Sequence, residues 1–142
     1  MSTLLCACSV LEPEVGDLSP PIDAGPPVDF ATDIRPLMNR DYSDPTGVGC
    51  KPCHYASEAS HQGTDASGLD LSTLGGMRQG GNNTRASVVV PYDPEGSAII
   101  AKLRGTFQIG ERMPRGGPYW SEDQIELVER WIAQGAKGDD EE

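Results

Sequence analysis

The run Cys50-Lys51-Pro52-Cys53-His54 constrains this chain more than any other feature. Two cysteines three positions apart fall on one side of a helical turn, so both sulfurs can face a single object. The adjoining histidine then presents its ring beside them. Pro52 is tolerated because the first turn of a helix leaves its N–H unused in any case. With 4 Cys and 2 His in 142 residues, chance would yield this spacing about 0.0015 times.

The pattern C-x-x-C-H is the attachment sequence of a c-type haem. Cys50 and Cys53 would bond the vinyl groups of one porphyrin edge, and His54 would be the proximal ligand of the iron. Two other readings compete. A thioredoxin-like pair should follow a strand in a βαβ pattern, and none is visible. A structural zinc site wants four ligands in two close pairs. The remaining candidates are Cys6, Cys8 and His61, the first two beyond a proline-rich stretch. A haem-free thiol or zinc module is therefore the weaker alternative.

Haem also answers a problem of composition. Leu, Ile, Val and Phe number only 27 of 142 residues, and the net charge is −11. Such a chain is either disordered or completes its core with something else. A porphyrin is a large apolar plate around which it can wrap. The 17 glycines and 12 prolines predict long loops. The length suits one domain and excludes a large enzyme core. No heptad repeat and no run of about 18 apolar residues occurs, which excludes a long coiled coil and a membrane-spanning helix.

The charge divides the chain into three. Residues 1–34 carry six acids and no Lys or Arg, and Asp139 to Glu142 add four more acids. The segment 35–138 is nearly neutral. With no basic stripe to neutralise phosphates, nucleic acid is excluded as an expected partner. Residues 1–28 form an N-terminal region, 29–138 the folded domain and 139–142 an acidic tail. Within the first region, Leu5-Cys6-Ala7-Cys8-Ser9 resembles the end of a bacterial lipoprotein signal, with Cys8 as the lipidated residue and the start of the signal missing. The alternative is an N-terminus with two incidental cysteines. Five prolines between residues 10 and 28 make a semi-extended linker.

Within 29–138, Phe30, Ile34, Leu37 and Met38 share one helical face, with Pro36 expected to bend the helix or confine it to one side. Residues 41–49 read as loop and Cys50 to about Ser60 as a short helix. Residues 62–87 read as Gly-, Ser- and Asn-rich chain with little periodicity. Val88 to Val90 are at best extended, because Pro91 follows. Ser97 is the expected N-cap of a helix over 98–104 ended by Gly105. After a loop over 105–120, the capping box Ser121–Gln124 opens the clearest helix, with Ile125, Val128, Trp131 and Ile132 on its apolar face.

These features together resemble the small bacterial class I cytochromes c. The resemblance covers about residues 30–137. It rests on Asp33 to Leu37, Cys50 to His54, Gly68-Leu69-Asp70-Leu71, Pro91-Tyr92-Asp93-Pro94 with Ser97, Met113-Pro114, and Trp131 to Ala136. The chain departs from the family in its long gap before Cys50 and its Gly-rich 75–81 segment. The resemblance implies an all-α class I cytochrome c fold, short helices and long loops wrapped around one haem. The N- and C-terminal helices would cross through Phe30, Ile34, Val128, Trp131 and Ile132.

Four side chains could be the sixth ligand. His61, seven residues after His54, would lie on the same side of the haem if both shared a helix, so a surface role fits it better. Met38 fits the core. Met77, in a Gly-rich loop, and Met113, in a long loop, stay open on the residues alone; the resemblance implies Met113, as the methionine of a Met-Pro pair. His54 and Met113 would then fill both axial positions. The implied function is a one-electron carrier that serves a redox protein donor and acceptor. The alternative is a haem enzyme or sensor, peroxidase-like, whose sixth position opens. Lys51, Arg112 and Arg115 would pair with haem propionates, line a docking face, or simply be solvated. The implied location is the cell envelope, periplasmic or outer-surface, with membrane attachment through Cys8.

Overall fold

The computed structural model describes residues 25–138. Cys6, Cys8, most of the proline-rich linker and the acidic tail lie outside the described residues. Among those described there is no strand. The elements are a π-helical turn over Phe30–Ile34, α1 (Arg35–Met38), α2 (Lys51–His54), α3 (Gln62–Ser67), α4 (Leu74–Gln79), a 3-10 turn over Arg85–Ser87, α5 (Ala98–Arg104) and α6 (Glu122–Ala133).

Pro36 stands in the first turn of α1, so the α-helix is confined to one side, and the turn before it is widened. It has no N–H, and its ring crowds the carbonyl four residues earlier. The ladder loosens just before it, and Arg35 donates to Phe30 O, five residues back. Asp29 starts the element by accepting from Thr32 N at 2.8 Å. Phe30, Ile34, Leu37 and Met38 are all buried, so the expected face survives the change of pitch.

The helix α6 forms as its sequence dictates. Gln124 N donates to Ser121 Oγ, and Ser121 N donates to Gln124 Oε1 at 3.0 Å. Ile125, Val128, Trp131 and Ile132 are buried. The Phe30 and Trp131 rings stack with centroids 5.1 Å apart. This joins the first and last elements of the described chain, as expected for the two terminal helices.

The middle of the chain is more ordered than its composition suggests. Residues 62–87 hold α3, α4 and a 3-10 turn. Thr73 caps α4 by accepting from Gly76 N at 3.0 Å, and Leu74 and Met77 enter the core one turn apart. Gly76 is needed there, because a Cβ would stand 2.3 Å from Asp70 O. Val88 is helical in its backbone rather than extended, and accepts from Ile99 N. Helix α5 has the expected span and the expected left-handed Gly105, but Ser97 does not cap it. Instead the buried Ser97 hydroxyl accepts from Val90 N and donates to Asp93 O, both at 2.8 Å, and so locks the turn before the helix. The result is an all-α domain of short helices and long loops over one apolar cluster.

Candidate functional site

The chain reaches Cys50 through a closed loop. After α1 it turns out over 41–49 and returns, with Gly49 N donating to Arg40 O and Cys50 N to Met38 O. A Cβ on Gly49 would stand 2.4 Å from Met38 O, so only glycine permits this return. Trp120 Nε1, buried, donates to Val48 O at 2.7 Å and ties the loop to the start of α6. The 105–120 loop is thereby brought beside the segment that leads into Cys50.

The helix expected over 50–60 is one turn only. Cys50 is its N-cap, His54 N donates to Cys50 O at 2.8 Å, and Tyr55 turns extended. Both cysteines are free thiols. Burial, with a smaller contribution from the charge of Cys53, pushes the Cys50 thiol up to about 12. The exposed Tyr42 hydroxyl lies 3.1 Å from Cys53 Sγ.

His54 is buried and its Nδ1 lies 3.3 Å from Leu69 O. A carbonyl only accepts, so Nδ1 carries the proton and Nε2 keeps its lone pair. Leu71 N donates to His54 O at 2.8 Å, so residues 69–71 grip the histidine at ring and backbone. Burial holds its pKa below the usual histidine range. The Leu69 hydrogen bond opposes that shift and the charge of Lys102 reinforces it. The result is a neutral imidazole with a defined tautomer, the form in which histidine ligates a metal. A Cβ on Gly63 would stand 2.8 Å from both Nε2 and Cε1, so the start of α3 packs closely against this edge of the ring and only glycine fits there.

His61 is placed elsewhere. It precedes α3, so the two histidines share no helix. Its Nδ1 is bonded to Glu58 O and its Nε2 lies 3.5 Å from Asp65. The methionines separate by environment. Met38 and Met77 are sealed in the core, 1% and 0% exposed, and Met77 sits on α4 rather than in a loop. Met113 is partly exposed on the loop before Trp120, with its N–H donated to Lys102 O at 3.0 Å. The flanking cations are engaged: Lys51 pairs with Glu58, Arg115 with Glu111, and Arg112 donates to Leu103 O with its guanidinium 4.1 Å from the Tyr119 ring centroid.

Among the described residues, no three His, Cys, Asp or Glu side chains are placed to share a metal ion. Large side chains stand exposed at Tyr42, on the loop that leads into Cys50, at Ile109 and Tyr119, on the 105–120 loop, and at Tyr92. A surface groove of about 730 Å³ lies between Glu95, Arg104 and Arg130; Asp93, Pro94 and Ala133 also line it, whereas Cys50, Cys53, His54 and Met113 do not. The spacing of cysteines and histidine was legible in advance. Gly63 and the Leu69 carbonyl were not, because one glycine among 17 and one backbone oxygen carry no sequence signal. No family model, no curated protein and no solved structure matches this chain.

Proposed function

We propose that this chain is a class I cytochrome c domain, a one-electron carrier with a single covalent haem. The observation that carries this reading is His54: a buried, neutral imidazole whose tautomer is set by Leu69 O, one residue beyond two free thiols on the same turn. When bound, the haem supplies a one-electron iron couple. Cys50 and Cys53 would hold its edge by thioether bonds, and His54 Nε2 would be its proximal ligand. Exposed Tyr42, Ile109 and Tyr119 offer it apolar cover that the protein core does not use. Met113 is the distal ligand in this reading, since Met38 and Met77 are committed to the core. Thioether and imidazole together would leave no open position for oxygen or peroxide, so the domain passes electrons between redox proteins rather than catalysing. Haem attachment of this kind takes place outside the bacterial cytoplasm, which places the domain in the cell envelope, with lipidation at Cys8 as its anchor.

The test is to produce the chain in a host that matures c-type haem. The denatured protein should be heavier by one haem, and the reduced protein should show the sharp visible bands of a low-spin c-type cytochrome. Haem that leaves with acidic organic solvent, or a colourless protein, would refute the proposal.

A further inference from the structure

Lysine is scarce in this chain, at positions 51, 102 and 137. Lys102, in the last turn of α5, is the one among them whose contacts converge on the loop that carries Met113. Its Nζ donates to Ile109 O and to Glu111 O, the latter at 3.2 Å. The ammonium stands 5.0 Å from the Phe107 ring centroid. Its own carbonyl accepts the Met113 N–H at 3.0 Å. The loop wraps it closely: Gly110 has φ +73°, and a Cβ there would stand 3.1 Å from Nζ. Among the described residues no carboxylate pairs with this ammonium. Its protons go to carbonyl oxygens of a loop that has no ladder of its own.

We propose that Lys102 is the positioning residue of the distal loop, holding residues 107–113 from within so that the Met113 thioether is presented to the haem. This rests on the reading of Met113 as a ligand. The physical reason is one of entropy. A loop of this length must be tied at several points before one side chain in it can keep a single position. Phe107 N is tied to Ala101 O and Met113 N to Lys102 O. Between those two ties, Ile109 O and Glu111 O are held by Lys102 Nζ. An ammonium can serve two carbonyls at once because it has three protons and accepts none.

The experiment uses the full-length holoprotein and the variants Lys102→Met and Lys102→Arg. Three quantities are read: hydrogen exchange over residues 107–113, the far-red absorption band of thioether-bound ferric iron, and the rate of carbon monoxide binding to the reduced protein. Lys102→Met keeps the stem and removes the donors. It should raise exchange in the loop by about tenfold or more, weaken the band, and speed carbon monoxide binding by about tenfold. Lys102→Arg should restore all three, because a guanidinium can donate to the same two carbonyls. Lys102→Gln, which is shorter and keeps only a neutral amide donor, should weaken the band as well, and it decides the matter if Lys102→Met does not fold. Unchanged exchange and an unchanged band in Lys102→Met, or an unchanged band in Lys102→Gln where the methionine variant is lost, would overturn the assignment. A loosened loop in Lys102→Met, with a wild type that never shows the band, would leave Lys102 as the holder of the loop and overturn Met113 as the ligand.

Discussion

His54 and His61 have the same chemistry and different surroundings, and the surroundings decide their roles. His54 is buried against Leu69 O, whereas His61 is turned to Glu58 O and Asp65 at the surface. His54→Ala should therefore abolish stable haem incorporation, while His61→Ala should leave the visible spectrum of the mature protein unchanged. A normal spectrum in the first variant or a lost haem in the second would reverse the assignment. The methionines divide in the same way. Met113→Ala should keep covalent haem, lower the reduction potential and admit carbon monoxide. Met77→Ala should leave potential and ligation alone but cost about 2–5 kcal/mol in denaturant unfolding, because Met77 is fully buried. Potential measurements on both variants distinguish the ligand from the core residue. Arg35 shows a further cost of burial. It donates to Ser72 O and lies 4.7 Å from the Phe30 ring centroid, yet its Nη2 is buried without a partner.

At the scale of elements, two serines that read alike in the sequence do different work. Ser121 caps α6 with the full reciprocal box, so Ser121→Ala should cost about 1 kcal/mol. Ser97 precedes α5 in the same way, but its hydroxyl bridges Val90 N and Asp93 O inside the protein. Ser97→Ala would leave the part-buried Val90 N without that partner and Asp93 O without its donor, and should cost about 1–3 kcal/mol. Urea unfolding of the two variants tests the difference; equal effects would contradict it. The short α4 carries a related lesson. Its glycines conceal it from a propensity argument, since glycine disfavours a helix by about 1 kcal/mol. The Thr73 cap, the burial of Leu74 and Met77, and the lack of room for a side chain at Gly76 outweigh that penalty.

Across the whole molecule, the first and last elements meet in the Phe30–Trp131 stack, and Trp131 Nε1 also donates to Lys137 O at 2.8 Å. This contact joins chain segments about a hundred residues apart, so it stabilises every loop between them. Trp131→Ala should cost about 3–5 kcal/mol, enough to unfold a marginal domain. A cooperative melt close to that of the wild type, followed by circular dichroism, would show that the terminal contact does not hold the fold together. The apolar residues on the predicted faces of the first helix and α6 are all buried.

Local rules that act within a few residues are legible in the sequence alone. The Ser121–Gln124 box, the apolar face of α6, the glycine end of α5 and the loops over 41–49 and 105–120 each depend on neighbours in sequence, and the structure has them. The spacing of Cys50, Cys53 and His54 is local in the same way, and the structure has the three on one helical turn. What the sequence could not reveal were choices made by partners far along the chain. The tautomer of His54 depends on Leu69 O, fifteen residues away. The burial of Met77 depends on the apolar cluster that its helix joins, and the hold on the Met113 loop depends on a lysine of α5. Such choices turn on which donors and acceptors water can still reach once the chain has closed, and only the packed molecule decides that.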